Sequence, residues 1–129
     1  MSFLAKLHVD GQTYNILRCN YAFDQPMDGT GKPAGRPRGG QISLTVESEG
    51  RLDLHHWMKE PEQTKDGALI FYKRDAMSQL QKVAFTKAYC VHLEEEFEAD
   101  DAFPMQKHIV ISAKTIVIGD MTFENSWGE

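Results

Sequence analysis

The sequence predicts an all-β protein, a two-sheet β-barrel or sandwich with one short α-helix inserted. Three observations predict it. Apolar residues alternate with period two through most of the chain, as in "FLAKLHV" and "ISLTVE". Turn signals separate the alternating runs, beginning with Asp10-Gly11. One run, "GRLDLHHWMKEP", changes to a helical period.

In the first run, Phe3, Ala5 and Leu7 face one way and Leu4, Lys6 and His8 the other. Asp10-Gly11 is a two-residue hairpin turn. The second run places Tyr14, Ile16, Arg18, Asn20 and Ala22 on one face and Leu17, Cys19, Tyr21 and Phe23 on the other. A long loop follows. Ile42, Leu44 and Val46 then alternate with Ser43, Thr45 and Glu47. Leu54, Trp57 and Met58 fall at i, i+3 and i+4, one face of a helix that Pro61 stops near Glu60. "KDG" (65–67) reads as a turn into the strand "ALIFYKRD", and "AMSQLQ" fits either a helical turn or a strand start. "KVAFTKAYCVHLEEEF" is the longest strand signal, with Val83, Phe85, Tyr89, Val91 and Leu93 on one face and Lys87 the exception. "EADDAFP" turns into "QKHIVISAKTIVIGD". Ile109 and Ile111 share one parity there, Ile116 and Ile118 the other. Either a β-bulge sits near Lys114 or both faces are covered. "DMTFENSW" is a short last strand or tail.

The chain of 129 residues fits one domain, 1–129, with an extended loop at 26–40. Apolar residues on both faces of several strands argue for an assembly, because a small sandwich buries only one face of each sheet. A net charge of -5 argues against general nucleic-acid binding, which needs clustered Lys and Arg. Cys19 and Cys90 lie far apart in strand runs and read as reduced, packed thiols. No apolar run is long enough to span a membrane, and the N-terminus lacks a signal-peptide core. The expectation is synthesis in the cytoplasm and export, if any, by a route without a cleaved signal.

No catalytic, cofactor or metal motif emerges. "GTGK" in the long loop misses the phosphate-loop pattern, since Pro26 holds the first glycine's place and Pro33 follows Lys32. His55 and His56 point about 100° apart on a helix and cannot share a metal. "EEEFEADD" (94–101) lacks the spacing of a calcium loop and reads as a solvated strand end or as a docking surface for something basic. The expectation is no enzyme, no cofactor and no metal.

The loop from Pro26 to Gly40 holds five of the ten glycines and three of the five prolines, in a place where most hairpins turn in two to five residues. The strands before it are too little for a domain, so it is no linker. Its closure entropy is small, but ordering it costs about 1–2 kcal/mol per residue. An arm that orders on assembly fits best.

Across nearly its whole length the chain resembles the Hcp (TssD) family, the tube proteins of bacterial type VI secretion systems, in a compact, divergent branch. The matching runs are "FLAKLHVDGQTYNIL", the Gly-rich loop into "GGQISLTVES", "LHHWMKEP", "KDGALIFYKRDAM", "FTKAYCVHLEEEF", "PMQKHIVISAKTIVIG" and "ENSW". The resemblance implies homohexameric rings that stack into the inner tube of a contractile sheath. It implies partners in the spike, the sheath and baseplate, and the effectors, with release of the tube and no membrane insertion. It makes the loop the arm that reaches adjacent subunits or the next ring. On this reading the candidate inter-subunit and ring-stacking residues are Asp28, Lys32, Arg36 and Arg38 on the arm and Glu95, Glu96 and Glu98 on the acidic run. Rival readings are a tube subunit of another contractile injection particle, a small ligand-binding β-barrel and a small enzyme.

Overall fold

The computed structural model describes residues 3–73 and 78–125. The side chain of Phe3, the Ala76-Met77 part of the ambiguous run and the Ser126-Trp127 end of the last run lie outside the described residues.

The elements are β1 (Phe3–Val9), β2 (Gln12–Tyr21), β3 (Gln41–Glu47), α1 (Asp53–Lys59), β4 (Lys65–Lys73), β5 (Ser78–Phe97), β6 (Met105–Ile118) and β7 (Met121–Glu124). Sheet order is β3-β2-β1-β4-β5-β6-β7, every pair antiparallel, and β3 also pairs with β6. The sheet is therefore one continuous ring, a closed barrel, with β7 extending the edge of β6 in line with β3. Closure pairs the main strands and removes the edge problem of an open sheet.

Alternation dictates the interior. Leu7, Val9, Ile42, Leu44, Val46, Leu69, Val83, Phe85, Ile109 and Ile111 pack inside as one core. Ile42, Leu44 and Val46 point inward as the alternation of β3 requires. Asp10 (φ 58°) and Gly11 (φ 77°) form the two-residue turn between β1 and β2, with Val9 opposite Gln12.

Two irregularities explain strands that show apolar residues on both faces. In β2 the register with β3 shifts between Ile16 and Arg18. Tyr14 and Ile16 face the core before the shift, and Cys19, Tyr21 and Phe23 pack against it afterwards. In β6 the buried parity runs from Ile109 through Ala113 and then switches to Ile116. β5 switches with it, from Val83 and Phe85 to Ala88 and Cys90, at Lys87, whose φ is 51° and whose N–H donates to Asp66 Oδ1 at 2.9 Å. The parity slip near Lys114 is thus a paired switch of two strands. It overturns two facings: Ala88 and Cys90 are the buried residues, so Tyr89 and Val91 lie on the opposite face from Val83 and Phe85, and Val91 is exposed.

Two further readings are corrected. "KDG" is no turn, because Lys65, Asp66 and Gly67 already belong to β4; the chain turns at Pro61-Glu62 instead. α1 buries Leu54 and Trp57, but Met58 lies outside, since a helix of two turns lying on a barrel buries only a narrow stripe.

Connections alternate between the barrel's ends. One end carries the β1–β2 turn, α1 with its flanking loops, and the β5–β6 turn. The other carries the 26–40 loop and the Gly119-Asp120 turn.

Candidate assembly site

The 26–40 loop is not slack. Asp24 and Arg38 exchange backbone hydrogen bonds, and Ala34 N–H donates to the Pro26 carbonyl at 2.8 Å. The arm is a short hairpin continuing from β2 and β3. Its tip is locked by Asp28, whose Oδ1 accepts from Thr30 Oγ1 at 2.7 Å, from Thr30 N–H at 2.8 Å and from Lys32 N–H at 3.1 Å. These bonds, the Thr30 hydroxyl's first, hold the Asp28 carboxyl below its usual range. Gly31 (φ 89°) then lets the chain double back. The expected ordering on assembly is replaced by local order within one chain: "DGTGK" is a turn motif.

Lys32, Arg36 and Arg38 are exposed along this hairpin. At its base Gly40 is buried, and Ala113 N–H donates to its carbonyl at 2.7 Å. Asn125 Nδ2 donates to the Gly39 carbonyl at 3.1 Å and the Ala113 carbonyl at 3.0 Å, tying arm, β6 and the end of β7 together. Between arm and β7 lies an open groove of about 540 Å³, lined by Pro26, Ala34, Arg36, Pro37, Arg38 and Phe123 among others.

The acidic run lies at the other barrel end, so the structure does not bring the two sets of candidates together within one chain. Glu95 accepts from Ser48 Oγ at 2.7 Å and stands 3.7 Å from His55 Nε2. Glu96 Oε1 is 2.8 Å from His108 Nε2, and His108 Nδ1 is 2.8 Å from Thr45 Oγ1. Glu98 closes the β5–β6 turn through backbone bonds to Pro104 and Asp101. Glu95 and Glu96 thus hold their own subunit's surface, and Glu98 with Asp100 and Asp101 presents charge at the tip.

Sequence reasoning missed the apolar half of this tip. Phe97 is 63% exposed, and its cross-strand partner Met105 and nearby Phe103 are exposed too. Met27 on the arm is 70% exposed. The available signal was large apolar side chains in and beside the segment read as a turn, with Phe97 closing the acidic end of a strand and Phe103 inside the turn.

The same end also holds a polar plug. Lys107 points inward, 2% exposed, and its Nζ donates to the Arg51 carbonyl. Desolvation pulls its pKa down. Arg51 stacks 4.2 Å from the Tyr14 ring centroid, pairs with Glu49 at 2.9 Å and donates to the Thr13 carbonyl. Burial pushes both thiols, Cys19 and Cys90, up to about 11, which favours the protonated form. Among the described residues no group of three or more His, Cys, Asp or Glu could hold a metal, and no helix is long and apolar enough to cross a membrane.

The model of the family described as hemolysin coregulated protein Hcp (TssD) matches residues 1–128. The chain belongs to the Hcp (TssD) family. It is similar to the solved structure of Hcp1 from Flavobacterium johnsoniae, with 37% identity and a TM-score of 0.91 over 95% of this chain and 99% of that one. Hcp1 from Salmonella typhimurium shares the fold at 12% identity and TM-score 0.74, over 90% of this chain and 85% of that one. The sheath/tube terminator of an extracellular contractile injection system, PVC, shares it at 16% identity and TM-score 0.63, over 88% and 91%. No curated protein matches the chain.

Proposed function

We propose that this Hcp chain is a tube subunit of a type VI secretion system, forming hexameric rings that stack into the inner tube of a contractile sheath. The whole-chain family match carries the reading, together with 37% identity to an Hcp1 over nearly the full length of both chains. On this reading residues 1–129 act as one tube unit with the arm as its docking element, and the role is mechanical and needs no chemistry. The spike, sheath and baseplate, and effectors are its partners. It is made in the cytoplasm and leaves with the ejected tube.

The barrel itself supports this over a ligand-binding barrel. Its interior is filled by the apolar core, and the grooves among the described residues open at the surface. The arm residues Asp28, Lys32, Arg36 and Arg38 and the acidic-run residues Glu95, Glu96 and Glu98 sit at opposite ends, where stacked rings would bring unlike ends together. Asp28 serves by locking the tip. Light scattering behind a sizing column, with negative-stain imaging, tests the proposal. Rings of six chains that stack into tubes are expected; a strictly monomeric species at high micromolar concentration refutes it.

A further inference from the structure

We propose that the β5–β6 tip of one copy seats in the groove between arm and β7 of a second copy in the next ring, head to tail. The inference rests on the tube reading and names the contact that propagates the stack.

The tip carries Phe97, Phe103 and Met105 exposed together, with Glu98, Asp100 and Asp101 around them. An apolar cluster rimmed by charge marks a docking surface. The groove offers the complement: Pro26, Ala34, Pro37 and Phe123 give apolar walls, and Arg36 and Arg38 lie along its side. Its volume is about 540 Å³ and it opens at the surface, so a tip can enter from outside.

The occupant is a second copy because knob and groove lie at opposite ends of the barrel. One chain cannot bring them together, and rings stacked with like ends facing would set knob against knob. Unlike patches on opposite ends make a heterologous contact, which builds a filament when successive copies stack along the barrel axis and the rotation does not close. Charge does not oppose the pairing. The connections at the knob end (10–11, 48–64 and 98–104) hold eight carboxylates against two Lys or Arg; the described ones at the arm end (22–40 and 119–120) hold three of each. A knob-to-knob stack would bring two acidic ends together, which opposes it.

Ala34 lines the groove and Ala102 sits exposed beside Phe103. In the double variant Ala34→Cys, Ala102→Cys, mild oxidation of stacked material should give a reductant-sensitive ladder of chain multiples on a denaturing gel. Cys90 is buried and Cys19 partly buried, so the parent chain oxidised alongside is the control and should give no ladder. Tubes that form normally yet give no ladder overturn the proposal. A second variant, Phe97→Asp with Phe103→Asp, should still form rings. The concentration at which they stack should rise about tenfold or more, as when a central interface anchor is removed. Stacking at the parent's concentration also overturns it. If the parent chain forms neither rings nor tubes, the tube reading itself fails, and this contact with it.

Discussion

Gly40 sits where arm, β6 and the end of β7 meet, with φ 89°. A Cβ there would fall inside the contact shell of Asn125 Nδ2 and 2.8 Å from the Ala113 carbonyl oxygen. The left-handed conformation alone costs an alanine about 1–2 kcal/mol, and the clash with backbone adds to it. Gly40→Ala should therefore lower unfolding free energy by about 3 kcal/mol, read from denaturant midpoints. Lys107 makes a contrasting case. Lys107→Ala removes packing and leaves the Arg51 carbonyl without its donor, at a cost of about 2–4 kcal/mol. Lys107→Met loses the same bond but relieves the desolvation of a buried ammonium and keeps the volume, so it should cost about 1 kcal/mol or less. Equal losses in the two variants would show that the charge, not the packing, holds the plug. Lys107 was legible in principle: it shares the parity of Ile109 and Ile111 in an unbroken alternation, the one lysine on the inward row of that stretch.

At the scale of elements, alternation located the first six strands because a half-buried pleated surface imposes period two on the side chains, and the change to a helical period located the helix; the last run stayed open between strand and tail. Alternation failed where backbone irregularity decides. The β2 shift after Ile16 and the left-handed Lys87 depend on cross-strand register, which one segment does not record. "KDG" carried turn residues into a strand interior because Gly67 lies close under Phe85 and the His8 carbonyl, leaving no room for a Cβ. The arm's existence was legible from glycine and proline; its internal order was not, though Asp28-Gly29 and Gly31 are the residues that make it. Two expectations follow. Replacing residues 25–37 with Asn-Gly between the bridged pair Asp24 and Arg38 should leave the circular-dichroism signal and Tm nearly unchanged and abolish tubes; an unfolded variant would place the arm inside the fold. The Asp28 lock should also depend on pH. Its carboxyl is held below the usual range, so the stabilisation is complete above the unfolded aspartate value of about 4 and is lost as pH falls through the lower folded one. Amide exchange at Thr30 and Lys32 should stay slow at neutral pH, once corrected for intrinsic rates, and lose protection only in strong acid.

For the molecule as a whole, the barrel is polar along its axis, with α1 and the acidic tip at one end and the basic-rimmed arm at the other. On the proposed stacking, each Arg–carboxylate pair between unlike ends would be of the screened, exposed kind, about 0–1 kcal/mol. Multiplied around a ring, small terms decide whether rings associate, while leaving each ring intact. Stacking should therefore weaken as salt rises, since the screening length falls from about 10 Å at 0.1 M to about 3 Å at 1 M. Ring integrity, set by other surfaces, should be indifferent to salt. Reversing Arg36 and Arg38 to Glu should reproduce the high-salt behaviour at low salt. Reversing Glu98, Asp100 and Asp101 to Lys in the same chain should recover part of the stacking. Glu95 and Glu96 are the wrong sites for that rescue, because Ser48, His55 and His108 already hold them on their own subunit. Tube yield against salt, followed by sedimentation for parent, arm variant and rescued variant, gives the test. If the arm reversal leaves the salt curve unchanged, or the rescued chain stacks no better than the arm variant, then the charged ends do not face each other in the tube.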